Sequence, residues 1–217
     1  MQELILYSQV SSARHDQVLH ILAGVTASQP TKYREQCDLY EQPKAAISVK
    51  SQTPQAQRRS YHQLVRETHP DEAGDLPSWK TRISDVPEPG VKNVISRNVS
   101  EKTLSMDELK LVRRDFESYK LASEHSVSGH RFISGNVIIR IFRIYVKTPV
   151  YVENPLGLLD PSGTYIVEAL VRTEDGSSSA LRDKATEELL AFAETVKGAI
   201  DLRVPDRLAL DPRVKGS

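Results

Sequence analysis

The chain has 217 residues, 39% of them hydrophobic and 27% charged, which is the balance of a folded globular protein rather than of a disordered chain. It contains 29 Lys and Arg against 29 Asp and Glu, so no net charge attracts the whole molecule to nucleic acids or anionic membranes. A single cysteine cannot form an internal disulfide and Met1–Tyr7 lacks the pattern of a secretory signal, so we expect a reducing compartment. No apolar run approaches the roughly 20 residues of a spanning helix, so we expect no membrane segment. From the length we expect one domain, residues 1–217.

The first third of the chain alternates strand and helix signals. Glu3–Val10 is rich in Leu, Ile, Tyr and Val and is predicted as an opening strand. Ser11 and Ser12 then offer N-cap hydroxyls to an amphipathic helix that ends before Pro30. Thr31–Glu41 is a further strand candidate. From 42 to 60 Pro, Gln, Ser, Ala and basic residues predominate, and we expect a flexible surface insertion there.

The middle of the chain predicts three strands and a short helix. Tyr61–His69 and Trp79–Val86 are rich in strand-forming residues and are bounded by proline-containing turn signals. Val94–Val99 follows as the third strand candidate. Ser105 is predicted to cap a helix of two or three turns that begins directly after it.

The most extended strand signal lies between residues 118 and 146. Ser118–Val127, His130–Ile133 and Val137–Val146 are predicted strands, separated by turns at Ser128-Gly129 and Gly135-Asn136. Gly129 and Gly135 are therefore interpreted as turn glycines and not as part of a phosphate-binding loop, which would join a strand to a helix.

The final third predicts one more strand and the longest helix. Thr164–Arg172 is the strand, after a loop at 154–163 that holds two Pro and two Gly. Residues 178 to 197 form the helix, with Ser179 as its candidate cap and Gly198 at its end. One face of this helix is apolar and carries Ala185, Leu189, Phe192 and Val196.

The strand Val137–Val146 indicates how the strands are arranged. Both its odd and its even positions are mainly apolar, so both faces need to be covered. A closed or nearly closed barrel meets this requirement, because its interior is filled and its outside is covered by a helix or by a partner. The predicted fold class is therefore α+β, a large antiparallel multi-stranded β-barrel with a helix near each end.

The sequence contains few residues arranged for chemistry. The six histidines and Cys37 show no paired spacing for zinc, and Cys37 has no histidine beside it that would activate a thiolate. No metal, cofactor or catalytic residue is predicted. The basic residues at Gln57–Arg59 are read as solvated, so no specific nucleic-acid contact is expected.

Three charged residues on the strands with the clearest sequence signal allow two interpretations of the barrel interior. Arg140, Arg143 and Glu168 place opposite charges on neighbouring strands, where they would form either a polyanion-binding interior or an ion pair inside the barrel. We favour the ion pair, which would fix the register of the strands. Since Arg140 and Arg143 are an odd number of residues apart, only one of them can face the interior.

A partner surface is predicted on one side of the same strand. Ile139, Ile141 and Tyr145 share a face, and an apolar face that the chain's own helices leave uncovered needs a partner. We therefore take these three residues as candidate partner contacts.

Seven short segments follow one another in an order typical of a known family. They are Glu3-Leu4-Ile5-Leu6-Tyr7, Val94-Ile95-Ser96-Arg97-Asn98, Gly129-His130-Arg131-Phe132, Ile141-Phe142-Arg143-Ile144, Tyr165-Ile166-Val167-Glu168, Phe192-Ala193-Glu194 and Pro205-Asp206-Arg207-Leu208. With this ordered set and this length, the chain resembles the Mediator subunit 18 family over most of its residues, the stretch near 42 to 60 excepted.

The resemblance implies a fold, a role and partners. The fold would be a multi-stranded β-barrel similar to the tunnel-shaped RNA triphosphatases. The role would be that of a non-enzymatic structural subunit in the head module of the nuclear Mediator coactivator complex, which regulates RNA polymerase II transcription. The implied partners are Mediator subunit 20, as a heterodimer, the C-terminal helix of Mediator subunit 8, and RNA polymerase II through the assembled complex.

The alternative function is a metal-dependent RNA triphosphatase of the tunnel type. Such an enzyme needs carboxylates that alternate along strands to hold Mg²⁺ or Mn²⁺. The opening strand Gln2–Leu6 lacks such a pair, and Glu168 by itself cannot build a metal site. We therefore expect a scaffold without catalytic activity.

Overall fold

The structure, a computed structural model, describes residues 1–43, 61–70, 76–89, 93–147, 156–174 and 178–206. The predicted insertion at 42–60 lies outside these ranges from residue 44 onward. The strands are β1 Gln2–Val10, β2 Thr31–Glu41, β3 Tyr61–Thr68, β4 Ser78–Ser84, β5 Ile95–Leu104, β6 Lys120–Ser134, β7 Val137–Lys147, β8 Leu156–Leu158 and β9 Tyr165–Thr173. The helices are α1 His15–Thr26, which a short 3-10 turn at Ser12–Arg14 precedes, α2 Met106–Phe116 and α3 Ser179–Thr195. None of these helices combines the length and the apolar character that crossing a membrane would take.

Eight of the strands close into a barrel. Their order is β6-β2-β3-β4-β5-β1-β9-β7, and β7 also pairs with β6, which joins the two ends of the sheet. Every pair of neighbouring strands is antiparallel, and the short β8 adds to the end of β7. Closure removes the free sheet edges and gives each strand an inner and an outer face. The predicted fold class, an antiparallel barrel with accompanying helices, is confirmed.

Helices α1 and α3 cover one side of the barrel. Outward-facing side chains of β1, β7 and β9 pack against them in the larger apolar core of the described residues. The apolar face predicted for α3 lies in this core, with Leu189 fully buried and Ala185, Phe192 and Val196 nearly so. Removing this much apolar surface from water supplies the main driving force for docking the two helices on the sheet.

Helix α2 covers a second, smaller part of the outer surface. Leu109 and Phe116 of α2 pack against Leu64 of β3, with Trp79 of β4 beside them. The helix begins where the sequence predicts, because the Ser105 side chain accepts a hydrogen bond from the backbone N–H of Glu108 while the Glu108 carboxylate accepts one from the backbone N–H of Ser105. This reciprocal capping box satisfies two backbone donors at the helix start.

The cap residues of the other two helices differ from the prediction. No side chain caps α1, since the Ser12 hydroxyl donates to the carbonyl of Gly163 at 2.7 Å and accepts from Arg143 Nη2 at 2.8 Å instead. The cap of α3 is Ser178, whose hydroxyl accepts from the Leu181 N–H, and not Ser179. In the first case a tertiary contact has replaced the local one.

The turn predicted at Ser128-Gly129 is wrong, because β6 runs without interruption through both residues. Gly129 lies opposite Phe142 of β7, and a Cβ atom built on it would be 2.0 Å from the carbonyl oxygen of Ile141. Close approach of the two backbones, and not a turn, explains this glycine. The turn at Gly135-Asn136 does form, and Gly135 has the positive φ, 59°, that the first central residue of a type II′ hairpin turn needs.

Replacing Gly129 by alanine therefore tests the close approach of β6 and β7. We expect Gly129→Ala to lower the free energy of unfolding by at least about 2 kcal/mol, because the added methyl group clashes with backbone atoms that cannot move separately. The matched control is Gly24→Ala in α1, where a Cβ meets nothing within 4 Å and helix propensity predicts a gain of about 0.5–1 kcal/mol. Urea denaturation of both variants measures the two effects, and equal stabilities would contradict the assignment.

Candidate functional site: the charged interior and the open outer face

The barrel interior is lined by charged side chains of both signs. Alternate residues of the closed strands point inward, so charges spaced two apart along a strand meet charges from neighbouring strands. Among the described residues the inward-facing charges are Glu3, Glu35, Glu67, Glu101 and Glu168 and the basic Lys80, Arg82, Arg97, Arg131, Arg140 and Arg172. Each of these carboxylates has a basic partner.

The predicted pair of Arg140 and Glu168 lies at the centre of this interior. Arg140 Nε donates to Glu168 Oε2 at 2.6 Å, and the Tyr7 hydroxyl donates to Glu168 Oε1 at the same distance. Arg140 Nη1 also lies 3.5 Å from Glu35 Oε1. Burial alone would lower the pKa of Arg140, but the carboxylates of Glu168 and Glu35 raise it well above its usual value. The guanidinium therefore stays charged and bridges β2, β7 and β9.

A second ion-pair group surrounds Glu3 of β1. Arg97 of β5 donates to Glu3 Oε2 from Nε and Nη2, at 3.0 and 2.9 Å, and Arg172 of β9 donates from Nε to Glu3 Oε1 at 3.0 Å. Burial would raise the pKa of Glu3, but the charges of the two arginines outweigh it and lower the pKa. One carboxylate thus holds together the three neighbouring strands β5, β1 and β9.

A third group joins β3, β4, β5 and β6. Glu67 accepts from Lys80 Nζ at 2.6 Å and from Arg131 Nη1 at 3.3 Å, and Arg82 donates to Glu101 Oε2 at 2.8 Å. Burial raises the pKa of Glu67, but hydrogen bonding and charge from Lys80 produce a net decrease. Burial likewise raises the pKa of Glu101, and the Arg82 charge reverses the shift.

This interior favours the ion-pair reading over a polyanion-binding lumen. The space left between the paired side chains is a cavity of about 50 Å³, which has room for a few water molecules. No group of three or more His, Cys, Asp or Glu in the described part of the chain is placed to hold a metal ion. Burial raises the pKa of the Cys37 thiol to about 12, so this cysteine is protonated and unreactive.

Arg143 lies outside the barrel, away from the pair that the sequence grouped with it. Its guanidinium carbon lies 3.8 Å from the centre of the Tyr165 ring, and its Nη2 donates to Ser12. The structure therefore brings together Arg140 and Glu168 and not Arg143, as the odd spacing of the two arginines requires.

The face of β7 that was predicted to contact a partner is covered by the chain's own helices over most of its length. Ile139 and Ile141 have no exposed surface and belong to the core beneath α1 and α3. The premise that this face is left uncovered therefore has to be corrected at these two positions. Tyr145, near the far end of the strand, is half-buried, and partner binding by Tyr145 stays a prediction.

Most of the interior charges were missed by sequence reasoning. Glu35, Glu67 and Glu101 lie on strands that also carry exposed polar residues. The sequence therefore did not distinguish them from glutamates on a solvent-exposed face. One pattern in the sequence could have indicated them. Charged residues two apart on a strand, such as Lys80 and Arg82, share a face, and the pattern of Val137–Val146 already indicated that the strands close into a barrel. That spacing gives the face of a residue but not whether the face is turned inward.

A part of the outer face between α1 and α2 stays open. It contains a cavity of about 530 Å³ on β2, β3, β6 and β7, lined by Arg34, Arg66, Ser126, Tyr145 and Leu156 among others. A neighbouring cavity of about 350 Å³ shares Arg34, Ser128 and Tyr145 with it. The two together form a groove on the outside of the barrel, far larger than the interior cavity.

Together these features define a class of protein. It is an antiparallel barrel whose interior is filled by ion pairs and whose larger cavity lies on the outer surface. The family model described as Med18 protein matches residues 2–213. A relative from Coccidioides immitis, named Mediator of RNA polymerase II transcription subunit 18, is 27% identical over 268 residues, covering 99% of this chain and 100% of the relative. A relative of the same name from Aspergillus niger is 25% identical over 274 residues, with the same shares covered.

The chain belongs to the Mediator subunit 18 family, whose members are structural subunits rather than enzymes. Solved structures share its fold. A chain in the structure of the Schizosaccharomyces pombe Mediator head module matches with a TM-score of 0.74 and 18% identity, covering 94% of this chain and 99% of that chain. The PH1819 protein of Pyrococcus horikoshii OT3 matches with a TM-score of 0.55 and 10% identity, covering 95% and 96%.

The paired interior predicts that stability falls in acid. Glu3, Glu67 and Glu101 have folded-state pKa values below the ordinary 4.5, so they contribute stability above that pH and lose it as they are protonated. We expect the free energy of unfolding to begin to fall below about pH 6.5, because burial lowers the pKa of His62 and His125 and the unfolded chain then binds protons more readily. It should fall further below about pH 4.5, where the carboxylates are protonated. Urea denaturation followed by Trp79 fluorescence measures this, and a flat profile down to about pH 3 would contradict it.

Removing one interior carboxylate tests the network directly. Glu3→Gln removes the counter-charge of Arg97 and one of the two carboxylates beside Arg172, the other being Glu101, and we expect a loss of about 3 kcal/mol. The control is Glu117→Gln, an exposed glutamate at the end of α2, where we expect a change within about 0.5 kcal/mol. Similar effects of the two substitutions would mean that the ion pairs around Glu3 contribute little.

Proposed function

We propose that this chain is a non-enzymatic structural subunit of the Mediator head module and that it acts in the nucleus, in the regulation of RNA polymerase II transcription, by docking partner subunits. The observation that carries the proposal is the match of nearly the whole barrel to a chain in a head-module structure, together with membership in the family. The charge-paired interior supports it, because an interior filled by its own ion pairs leaves little space for a substrate.

The partners that we propose are Mediator subunit 20, as a heterodimer, and the C-terminal helix of Mediator subunit 8. Contact with RNA polymerase II would follow through the assembled complex. The open outer face supports docking at the barrel surface, since it offers a concave site of about 530 Å³ that no described helix covers. Tyr145 lies in this groove, and we propose it as a contact residue.

Reconstitution of the full chain with Mediator subunits 20 and 8 tests the proposal. We expect a stable complex with one copy of each subunit, measured by light scattering after size-exclusion chromatography. The same preparation is assayed for release of phosphate from triphosphorylated RNA with Mn²⁺. A chain that stays alone and releases phosphate would establish the tunnel triphosphatase in place of the scaffold.

The contribution of Tyr145 is tested by its replacement with alanine. We expect Tyr145→Ala to weaken assembly with Mediator subunit 20 by about tenfold, because aromatic side chains carry a large share of interface energy. Leu111→Ala on α2 is the control, since Leu111 is 52% exposed and lies outside the groove. Urea denaturation checks that both variants stay folded, and unchanged assembly of a folded Tyr145→Ala variant would exclude this residue as a contact.

A further inference from the structure

The groove on the open outer face has a distinct chemical character. We define it as the basic groove, lined by Lys32, Arg34, Arg66, Tyr145 and Leu156 across its two joined cavities. The groove is deep at its centre because β6 turns only the small side chains of Ser126 and Ser128 toward it. Helices α1 and α3 cover the barrel on one side of it and α2 on the other, so the groove is a gap in the helical covering.

Two arginines of the basic groove carry charges that no described residue compensates. Arg34 and Arg66 are both exposed, and neither forms an ion pair with any described residue. Arg66 rests near the Trp79 ring, with 5.9 Å between its guanidinium carbon and the ring centre. The exposed Arg203, in contrast, is paired with Asp201.

Little negative charge opposes these cations within the groove. Glu35 is the one acidic residue among the described residues that line it, and its carboxylate is turned into the barrel toward Arg140. Only 7% of Glu35 is exposed. Since the chain as a whole has a net charge of zero, the basic groove is a local concentration of positive charge on a neutral molecule. Its electrostatic complement is an acidic segment.

The size and the apolar residues of the groove favour a polypeptide over a nucleic acid. Nucleic-acid binding through the backbone draws on about 6–10 phosphate contacts, which Lys32, Arg34 and Arg66 cannot supply. Tyr145 and Leu156, which is 41% exposed, add an apolar surface that suits an aliphatic or aromatic side chain. Both properties belong to a peptide that carries carboxylates and apolar residues together.

We propose that the basic groove binds an acidic segment of a partner polypeptide, with its carboxylates on Arg34 and Arg66 and an apolar side chain between Tyr145 and Leu156. This inference rests on the proposed docking function and adds the chemistry of the docked segment. Arginine suits the role because its planar guanidinium holds a carboxylate through two parallel hydrogen bonds.

A charge-reversal experiment on the full chain tests the inference. The probe is a fluorescein-labelled peptide of about 12 residues in which glutamate alternates with leucine, which is about 40 Å long in an extended conformation. Fluorescence anisotropy should show binding to the wild-type chain, and Arg34→Glu with Arg66→Glu should weaken it by about tenfold or more. The control variant, Arg114→Glu with Lys184→Glu, has the same net charge, changes two exposed residues on α2 and α3, and should bind like the wild type.

A complementary peptide shows whether the charge itself matters. The variant with Arg34→Glu and Arg66→Glu should gain binding of a peptide in which lysine alternates with leucine, while its urea denaturation matches that of the wild-type chain. Failure of the wild-type chain to bind the acidic peptide, or equal weakening by the control variant, would overturn the inference. Equally tight binding of single-stranded RNA with the same dependence on the two arginines would replace the peptide by a nucleic acid.

The result can be separated from a failure of the proposed function. If the chain assembles with Mediator subunits 20 and 8 but the groove does not bind the acidic peptide, the inference alone is wrong. If no assembly forms, the docking function itself is wrong, whatever the peptide does.

Discussion

The pairing of β7 with both β6 and β9 is the interaction on which the rest of the structure depends, because it joins the two ends of the sheet. Closure encloses the inward-facing side chains, and a charge enclosed there loses much of its hydration, a cost that an opposite charge beside it offsets. The glutamates of the interior accordingly meet arginines or lysines on adjacent strands. Gly129 serves the same closure, since any side chain at this position would push β7 away from β6.

The interior also explains why a tunnel-shaped fold can serve as a scaffold. A catalytic tunnel needs carboxylates that are free to hold a metal ion and basic residues that are free to hold phosphates. Here the guanidinium of Arg140 is paired with Glu168 and Glu35, and the carboxylate of Glu3 is paired with Arg97 and Arg172. Desolvation offsets much of the Coulomb energy of buried ion pairs, so their net contribution to stability is small, although removing one partner leaves the other charge uncompensated. Because the interior charges are paired with one another, the outer surface is the part of the barrel that can contact a partner.

The covering of that surface is uneven. Helices α1 and α3 bury one side of the barrel in the main core, and α2 buries another through Leu109 and Phe116. Between them the residues that β2 and β6 turn outward along the groove are polar, namely Lys32, Arg34, Gln36, Ser126 and Ser128. The basic groove is thus a product of the same packing that stabilises the barrel, since apolar faces draw helices and polar faces stay open.

The sequence by itself determined the three helices, most of the strands, the barrel class and the family. It did not predict β8, which lies in the expected loop at 154–163, or the continuity of β6 through Ser128 and Gly129. The apolar face of α3 was predictable because local periodicity reports which residues share a face. The tertiary structure decided which face is turned inward. It buried Ile139 and Ile141 beneath α3 and α1, separated Arg143 from Arg140, and placed Tyr7 against Glu168, 161 residues away. Periodicity cannot report such contacts, because they depend on which distant strands become neighbours when the sheet closes.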